Sequence, residues 1–331
     1  MSKQRLPKIS IAIAALAALA ILAAGFWLNN YLLQVGTSLA MLAVLCLAWN
    51  LVGGYMGYPS LATAALFGLG VYVGAMCQIG GVPIYAAWGL AALAGAAAAM
   101  LLGATLLGLK GHYFAIGTVA TVEVLREIAN NWEAVTGGAA GLNLPIVRGS
   151  PELVGRFFYL AMWGLVLLSL VVTIAVAHSR FGFGLRCIKQ NENAASMVGI
   201  DVFKYKVTAF TLSGVLCAAA GAIYASMVAY VEPKDAFNVI LTIEVPVMVM
   251  LGGMGTVLGP LIGAGVYVLL REVVWANFIE WHSAILGLII VLVIYFIPGG
   301  LLGTDWRRIW TAATAKATAG KPTRSTPGGV T

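Results

Sequence analysis

The chain has 331 residues, of which 61% are hydrophobic and 9% charged, and it carries a formal net charge of +7. Charged residues make up roughly a quarter of a typical soluble protein, so the composition excludes a soluble globular protein and predicts a polytopic membrane protein. The excess of positive charge does not indicate nucleic-acid binding, because the basic residues lie near the chain ends and in short loops between apolar runs.

Apolar runs long enough to cross a bilayer recur along the chain and predict an all-α fold with about ten transmembrane helices. The first run, 9–28, follows a basic start and is too long for a signal-peptide core. One consistent alternation of loops places both termini and the basic segment 179–206 in the cytoplasm, as the positive-inside rule requires. We expect a single transmembrane domain over 1–303 and a disordered basic tail over 304–331.

The four cysteines and three histidines are scattered along the chain. No two cysteines form a CxxC pair, and the histidines lack the spacing of a zinc site. We therefore expect no metal site and no disulfide, with the cysteines packed as small apolar side chains.

The second predicted span, 35–52, is followed by the sequence GGYMGYPS at 53–60. Gly and Pro interrupt a helix at this point. Irregular backbone at membrane depth needs a wet or protein-lined site, so the segment either lines a polar route through the membrane or forms a tight cytoplasmic turn. The sequence leaves both alternatives open.

The fifth predicted span begins with YFAIGTVAT at 113–121 and continues with Glu123, Arg126 and Glu127. Residues three and four apart share a helix face, which brings these charges together. Charged side chains are unfavourable inside a membrane and usually face a cavity or a partner. We expect Glu127 to reach water at the outer interface, and we favour a cavity for Glu123.

The predicted outer loop that follows has the sequence NNWEAVTGGAAGL, 130–142. Its glycine-rich turn could expose backbone N–H groups as a nest for a carboxylate, although no Gly-Lys-Ser/Thr follows as in a phosphate-binding loop. We favour the alternative, an outer loop that contacts a partner protein. The residues concerned are Thr136, Gly137, Gly138 and Gly141.

A second glycine-rich segment, GGMGTVLGP at 252–260, separates two short apolar pieces. The first piece, 238–251, is short for a span, and Glu244 and Pro246 are expected to interrupt it. Short hydrophobic pieces around Gly and Pro indicate broken helices near a transport pathway. A tight inner turn between two spans is the alternative.

The polar stretch 179–206 lies between two apolar runs, and its basic residues place it in the cytoplasm. Residues 183–198 are predicted to form one short helix across the inner membrane surface, ending at Gly199. Its expected apolar stripe comprises Leu185, Ile188, Met197 and Val198. Such a helix offers a ridge to a partner, whereas the plainer alternative is a solvated loop.

The order ENAA at 192–195 followed by Gly199 and Ile200 resembles the EAA loop of bacterial ABC importer permeases. Together with the motifs at 113–121, 136–142 and 252–260, the chain looks like the M-type subunit of the branched-chain amino acid permease family. It departs from the family's pattern at Phe183-Gly184, where relatives usually carry a basic or small polar pair.

The resemblance implies an alternating-access permease subunit of an ABC importer in the bacterial inner membrane, surrounded by lipid. Its partners would be a second, different permease subunit, two ATPase subunits and a periplasmic binding protein. ATP and Mg²⁺ would bind those ATPases, so this chain would hold no cofactor and would not be an enzyme. Leucine, isoleucine and valine are the family's usual cargo.

The resemblance and the local patterns together assign candidate residues. The predicted ATPase-coupling residues are Arg186, Lys189, Glu192, Ala195, Gly199 and Ile200. The predicted translocation-pathway residues are Thr118, Thr121, Glu123, Gly252, Gly253, Gly255 and Thr256.

Two alternatives remain. Similar permeases carry urea, short amides or other amino acids, and the binding protein mainly decides among them. An ion-driven secondary transporter or channel is the other class, but it needs no coupling loop and tends to place paired charges in mid-span.

Overall fold

The computed structural model describes residues 25, 28–109, 111–147, 149–277, 287–288 and 300–303. The predicted spans 9–28 and 284–296 lie almost entirely outside these residues, and the tail 304–331 lies wholly outside them. Predictions for those three segments therefore stay predictions.

The described chain is helical apart from its turns and one very short ladder. In chain order the helices are α1 (Asn30–Trp49), α2 (Thr63–Ile79), α3 (Ile84–Leu106), α4 (His112–Asn131), α5 (Glu133–Thr136), α6 (Pro151–His178), α7 (Arg180–Gln190), α8 (Glu192–Met197), α9 (Val202–Val228), α10 (Pro233–Ala236), α11 (Val239–Gly252), α12 (Gly259–Asn277) and α13 (Gly300–Gly303). The other regular elements are the π-helix Asn50–Met56, the 3-10 helix Gly138–Ala140, and the antiparallel strands β1 (Leu142–Asn143) and β2 (Tyr230–Val231).

The helices confirm an all-α polytopic protein. Within the described residues, 6 apolar helical segments are long enough to cross a membrane, and α2 is a shorter apolar helix of 17 residues. The predicted fifth span forms α4, which has 20 residues but is less apolar because it carries three charged side chains. The total of about ten spans stays a prediction.

The centre of the bundle is α9, which packs against α1, α2 and α3. On α3 a residue with a small side chain is buried at every fourth position: Ala87, Ala91, Gly95, Ala99 and Gly103. Such a stripe lets two helices approach closely, and a Cβ on Gly95 would overlap the α9 backbone and side chains. The opposite face of α3 carries exposed leucines, as expected of a lipid-facing surface.

Two predictions about helix breaks are wrong. Helix α11 runs unbroken through Pro246. A proline removes one backbone N–H donor from a helix. Helices inside a membrane bundle tolerate that loss, because neighbouring groups can satisfy the freed carbonyl. The predicted single helix 183–198 is instead two helices, α7 and α8, which meet at Asn191 in an extended conformation.

The bundle has two distinguishable ends. Helix α9 has 27 residues and is therefore about 40 Å long, so its two ends lie on opposite sides of the bundle. Helices α7 and α8 precede its start, and we call this the inner end. Strand β2 follows its last turn and pairs with β1, and we call this the outer end.

Candidate coupling site

Three capping side chains divide the inner segment into its helices. Ser179 accepts a hydrogen bond from Gly182 N at the start of α7, Asn191 accepts one from Ala194 N at the start of α8, and Asp201 caps α9. Side-chain oxygens at these positions satisfy N–H groups that the first turn leaves unpaired. The chain therefore turns sharply twice and lays α7 and α8 against the inner ends of the spans.

Helix α8 ends as the sequence predicts. Gly199 has a φ of +85°, and Ile200 N donates to Ala195 O over 3.1 Å. A left-handed residue followed by this backward hydrogen bond is a common helix ending that favours glycine. A Cβ on Gly199 would meet nothing within 4 Å, so the requirement for glycine here comes from the backbone alone.

A partly buried ionic cluster anchors α8 to the bundle. Lys206 in α9 places Nζ 2.6 Å from Glu192 Oε1 and 2.5 Å from the hydroxyl of Tyr58, over whose ring it also lies. The Tyr58 hydroxyl donates to Glu192 Oε2 over 2.5 Å. Burial is the main cause that raises the pKa of Tyr58, and the hydrogen bond to the Glu192 carboxylate raises it further. The hydroxyl therefore stays protonated and acts as a donor.

The other predicted coupling residues also contact their own chain. Lys189 Nζ donates to Gly54 O over 2.8 Å, and Arg186 Nη2 donates to Ala177 O at the end of α6 over 3.1 Å. Ala195, in the middle of α8, is buried. Arg186 and Lys189 are nonetheless exposed, so the predicted docking residues combine contacts to the bundle with an exposed position.

The exposed surface of this segment combines charged and polar side chains with several large apolar ones. The predicted stripe is divided, because Leu185 and Ile188 are buried whereas Met197 is 87% and Val198 74% exposed. Phe183 and Phe203 are also exposed. Sequence reasoning did not assign these phenylalanines to the site, although bulky apolar residues in a short polar loop are a signal that could have found them.

The glycine-rich segment between α11 and α12 is a close-packed inner turn. Thr256 Oγ1 accepts from Gly259 N at the start of α12, and a Cβ on Gly252 would overlap the backbone at Gly259. Asn50 in the π-helix donates to Thr256 O and accepts from Gly255 N, each over 2.8 Å. The structure therefore brings this turn close to the π-helix and to Lys189, and away from the outer loop.

The predicted pathway residues of α4 differ in their surroundings. Thr118 is fully buried, and its hydroxyl accepts from Leu61 N over 2.9 Å. Thr121 Oγ1 donates to Gly117 O of its own helix. Glu123 pairs with Arg126 over 2.6 Å on a partly exposed face.

That face borders a shallow groove of about 500 Å³, whose lining includes Glu127 as well as the Glu123–Arg126 pair. Sequence reasoning missed a polar residue on another helix. Buried Thr242 of α11 accepts from Ala64 N in the first turn of α2, over 3.2 Å. No local pattern marks it, because its partner is distant in sequence.

The outer glycine-rich loop folds on itself. Gly137, Gly138 and Gly141 have positive φ, and their N–H groups donate within the loop, to Glu133 O, to the Thr136 hydroxyl and to Gly138 O respectively. These N–H groups are therefore engaged and form no anion nest in this structure. The loop is held against β2 at the outer end, where a partner protein could contact it.

These features define a class of protein. Membrane-spanning helices carry at one end a two-helix segment that is anchored to the bundle and exposes several large apolar side chains, which suits a membrane transport subunit. The chain belongs to the family of permease components of branched-chain amino acid transport systems, whose model matches residues 31–294.

Two relatives are named high-affinity branched-chain amino acid transport system permease protein LivM. The proteins from Salmonella typhimurium LT2 and Escherichia coli K12 are each 28% identical over 304 residues, covering 84% of this chain and 71% of the relative. The autoinducer 2 import system permease protein LsrC of Salmonella paratyphi B is 26% identical over 198 residues, covering 55% of this chain and 54% of the relative.

Among solved structures, an inward-facing ABC transporter described as metal-chelate type aligns with 80% of this chain and 86% of its own. The TM-score is 0.42 and the identity 15%. A likeness this distant supports no argument about the fold. Family membership does establish a multi-pass, non-catalytic membrane subunit of a bacterial ABC importer. The prediction that the chain is not itself an enzyme is confirmed.

Proposed function

We propose that this chain forms one half of the membrane pore of an ABC importer that carries branched-chain amino acids into the bacterial cytoplasm. Two ATPase subunits bind ATP and Mg²⁺, a second permease completes the pore, and a periplasmic binding protein delivers the cargo. The observation that carries the proposal is the two-sided inner segment, with Glu192 fastened to the bundle and Met197 exposed.

The exposed apolar tip of this segment is the surface that docks into an ATPase. Met197 and Val198 project from the last turn of α8, at the inner end of the bundle. Large apolar side chains exposed together mark protein contact sites, and aromatic and methionine side chains are enriched in the centres of such interfaces. Closure of the ATPases would push α8 and swing the spans from an inward-facing to an outward-facing arrangement.

The translocation pathway is proposed to follow the exposed face of α4, between this chain and the second permease. Val124 is exposed beside the Glu123–Arg126 pair, so the face combines apolar surface with charge. A zwitterionic amino acid needs both of its charges solvated on the way through, because burying either alone is strongly unfavourable. The hydroxyl of Thr121 and the carboxylate of Glu123 are the groups offered here. The inner turn 252–256 would close the route from the cytoplasm.

The cargo is the part that needs the most direct test. The family and the two LivM proteins support leucine, isoleucine and valine, whereas the similarity to LsrC, named for autoinducer 2 import, favours a different small solute as the second candidate. Urea, short amides and other amino acids are further candidates for the cargo.

The test is uptake of radiolabelled leucine and urea into vesicles that contain the whole complex, with each candidate binding protein supplied in turn. We expect leucine uptake that requires ATP. Uptake that runs on an ion gradient without ATP would contradict the proposal.

A further inference from the structure

Lys206 is buried, which is unusual for a lysine side chain. It is only 2% exposed, yet it lies in the second turn of α9 at the inner end, where lysines could reach water. A buried ammonium is retained only where partners compensate for its lost hydration. Glu192 and Tyr58 are those partners, and they come from two other segments of the chain.

Tyr58 extends the cluster to α4. Its ring packs edge-on against Phe114, with centroids 5.5 Å apart at 79°. Phe114 is fully buried and lies one helical turn before Thr118, which holds the backbone of Leu61. The single side chain of Tyr58 therefore touches α8 and α9 through its hydroxyl and α4 through its ring.

Helix α8 needs such a fastening. It has 6 residues and is bounded by non-helical backbone at Asn191 and at Gly199. Force applied at Met197 would rotate α8 about these two joints unless something fixed its first turn to the bundle. Glu192 is the first residue of α8 and is fixed in this way.

We propose that Glu192, Lys206 and Tyr58 are positioning residues that convert movement of α8 into movement of α4, and that Glu192 makes no ATPase contact. This inference rests on the proposed function. It assigns the docking contact to the exposed tip of α8 and gives the acidic residue of the loop an internal role. Both carboxylate oxygens of Glu192 accept hydrogen bonds within the chain, which agrees with that role.

The test uses the complete complex with single variants Glu192→Gln, Tyr58→Phe and Lys206→Met. Tyr58→Phe keeps the ring packed on Phe114 and removes only the hydroxyl, so we expect it to fold. It therefore serves as the test if Lys206→Met does not fold. Lys204→Met is the matched control, because Lys204 lies on the same helix in an exposed pair with Asp201. Three quantities are measured: ATPase co-purification, ATP hydrolysis, and leucine transported per ATP.

We expect each of the three variants to retain the ATPases and to lose about tenfold in leucine transported per ATP, since a hydrogen bond to a charged group contributes of that order. The double variant that exchanges the two charges, Glu192→Lys with Lys206→Glu, should transport more leucine per ATP than Glu192→Gln or Lys206→Met alone. The control should behave as the unmodified complex does.

A cargo-independent readout separates this inference from the proposed function. A cysteine placed at Val124 on α4 should change its maleimide reactivity with ATP in the otherwise unmodified complex, but not when combined with Tyr58→Phe. Loss of the ATPases in Glu192→Gln alone, or full coupling in all three variants, would overturn the inference. Absence of any ATP-driven uptake by the unmodified complex would instead overturn the proposed function.

Discussion

Lys189 in α7 donates a hydrogen bond from Nζ to the main-chain carbonyl of Gly54 in the π-helix, 2.8 Å away. Gly54 lies in the last turn of the π-helix, which ends at Met56, so its carbonyl has no N–H partner further along the helix. The lysine thus supplies the donor that the backbone lacks. It also ties the coupling segment to the end of α1.

Replacing Lys189 with methionine should leave Gly54 O without this donor. A buried polar group that loses its hydrogen bond costs about 1–3 kcal/mol, so the melting temperature of the purified chain should fall by several degrees. Scanning calorimetry or a thermal-shift assay in detergent measures this. Lys204→Met removes an exposed lysine and should leave the melting temperature unchanged. Equal melting temperatures for both variants would show that the contact contributes nothing.

Gly199 should be sensitive to substitution, because at its φ of +85° a residue with a Cβ is destabilised by about 1–2 kcal/mol. We expect Gly199→Leu to abolish transport while membrane insertion stays normal, since α8 would be re-aimed at its tip. Gly164 in α6 is a matched control: it is helical, and a Cβ there would meet nothing within 4 Å. Gly164→Ala should transport normally. Normal transport by Gly199→Leu would argue against the coupling role of α8.

The orientation of the bundle predicts opposite labelling of two positions. Ser150 caps α6 at the outer end, whereas Gln190 ends α7 at the inner end. In a background without Cys77 and Cys187, an impermeant thiol reagent on intact cells should label a cysteine at 150 and leave one at 190 unlabelled. The reverse pattern would overturn the orientation.

Substitutions on α4 should separate packing from transport. Thr118→Val removes the hydrogen-bond partner of Leu61 N in a partly buried site, so it should lower the melting temperature as well as slow uptake. Thr121 bonds only to its own helix, and Thr121→Val should therefore affect uptake more than stability. Glu123→Gln should slow uptake and leave basal ATP hydrolysis unchanged. If all three variants transport normally, the pathway does not follow this face.

The inner segment shows how far the sequence can predict a site. The helix ends at Ser179, Asp201 and Gly199 depend on hydrogen bonds between residues three to five positions apart. A local sequence pattern can therefore indicate such helix ends. Asn191 was misjudged because asparagine is tolerated in exposed helices and only its extended backbone reveals a cap. The membrane class follows from composition, since apolar length is a property of the sequence itself.

Contacts between distant segments could not be predicted in the same way. Tyr58 and Glu192 are 134 residues apart, and Ala64 and Thr242 are 178 apart. Nothing in either neighbourhood specifies the other, so the contact of Glu192 with Tyr58 could not be predicted. The division of the apolar stripe at Asn191 has the same origin, because burial depends on how α7 and α8 are laid against the spans.

The most direct test of the whole account is to place a charge at the exposed tip of α8. Met197→Asp combined with Val198→Asp alters two side chains that project from the bundle, so the purified chain should keep its melting temperature. Desolvating two carboxylates in an apolar interface is strongly unfavourable. Co-purification of the ATPase subunits and ATP-driven leucine uptake should therefore both be lost. A double variant that retains the ATPase subunits and transports leucine at the unmodified rate would show that this segment does not couple the chain to the ATPases.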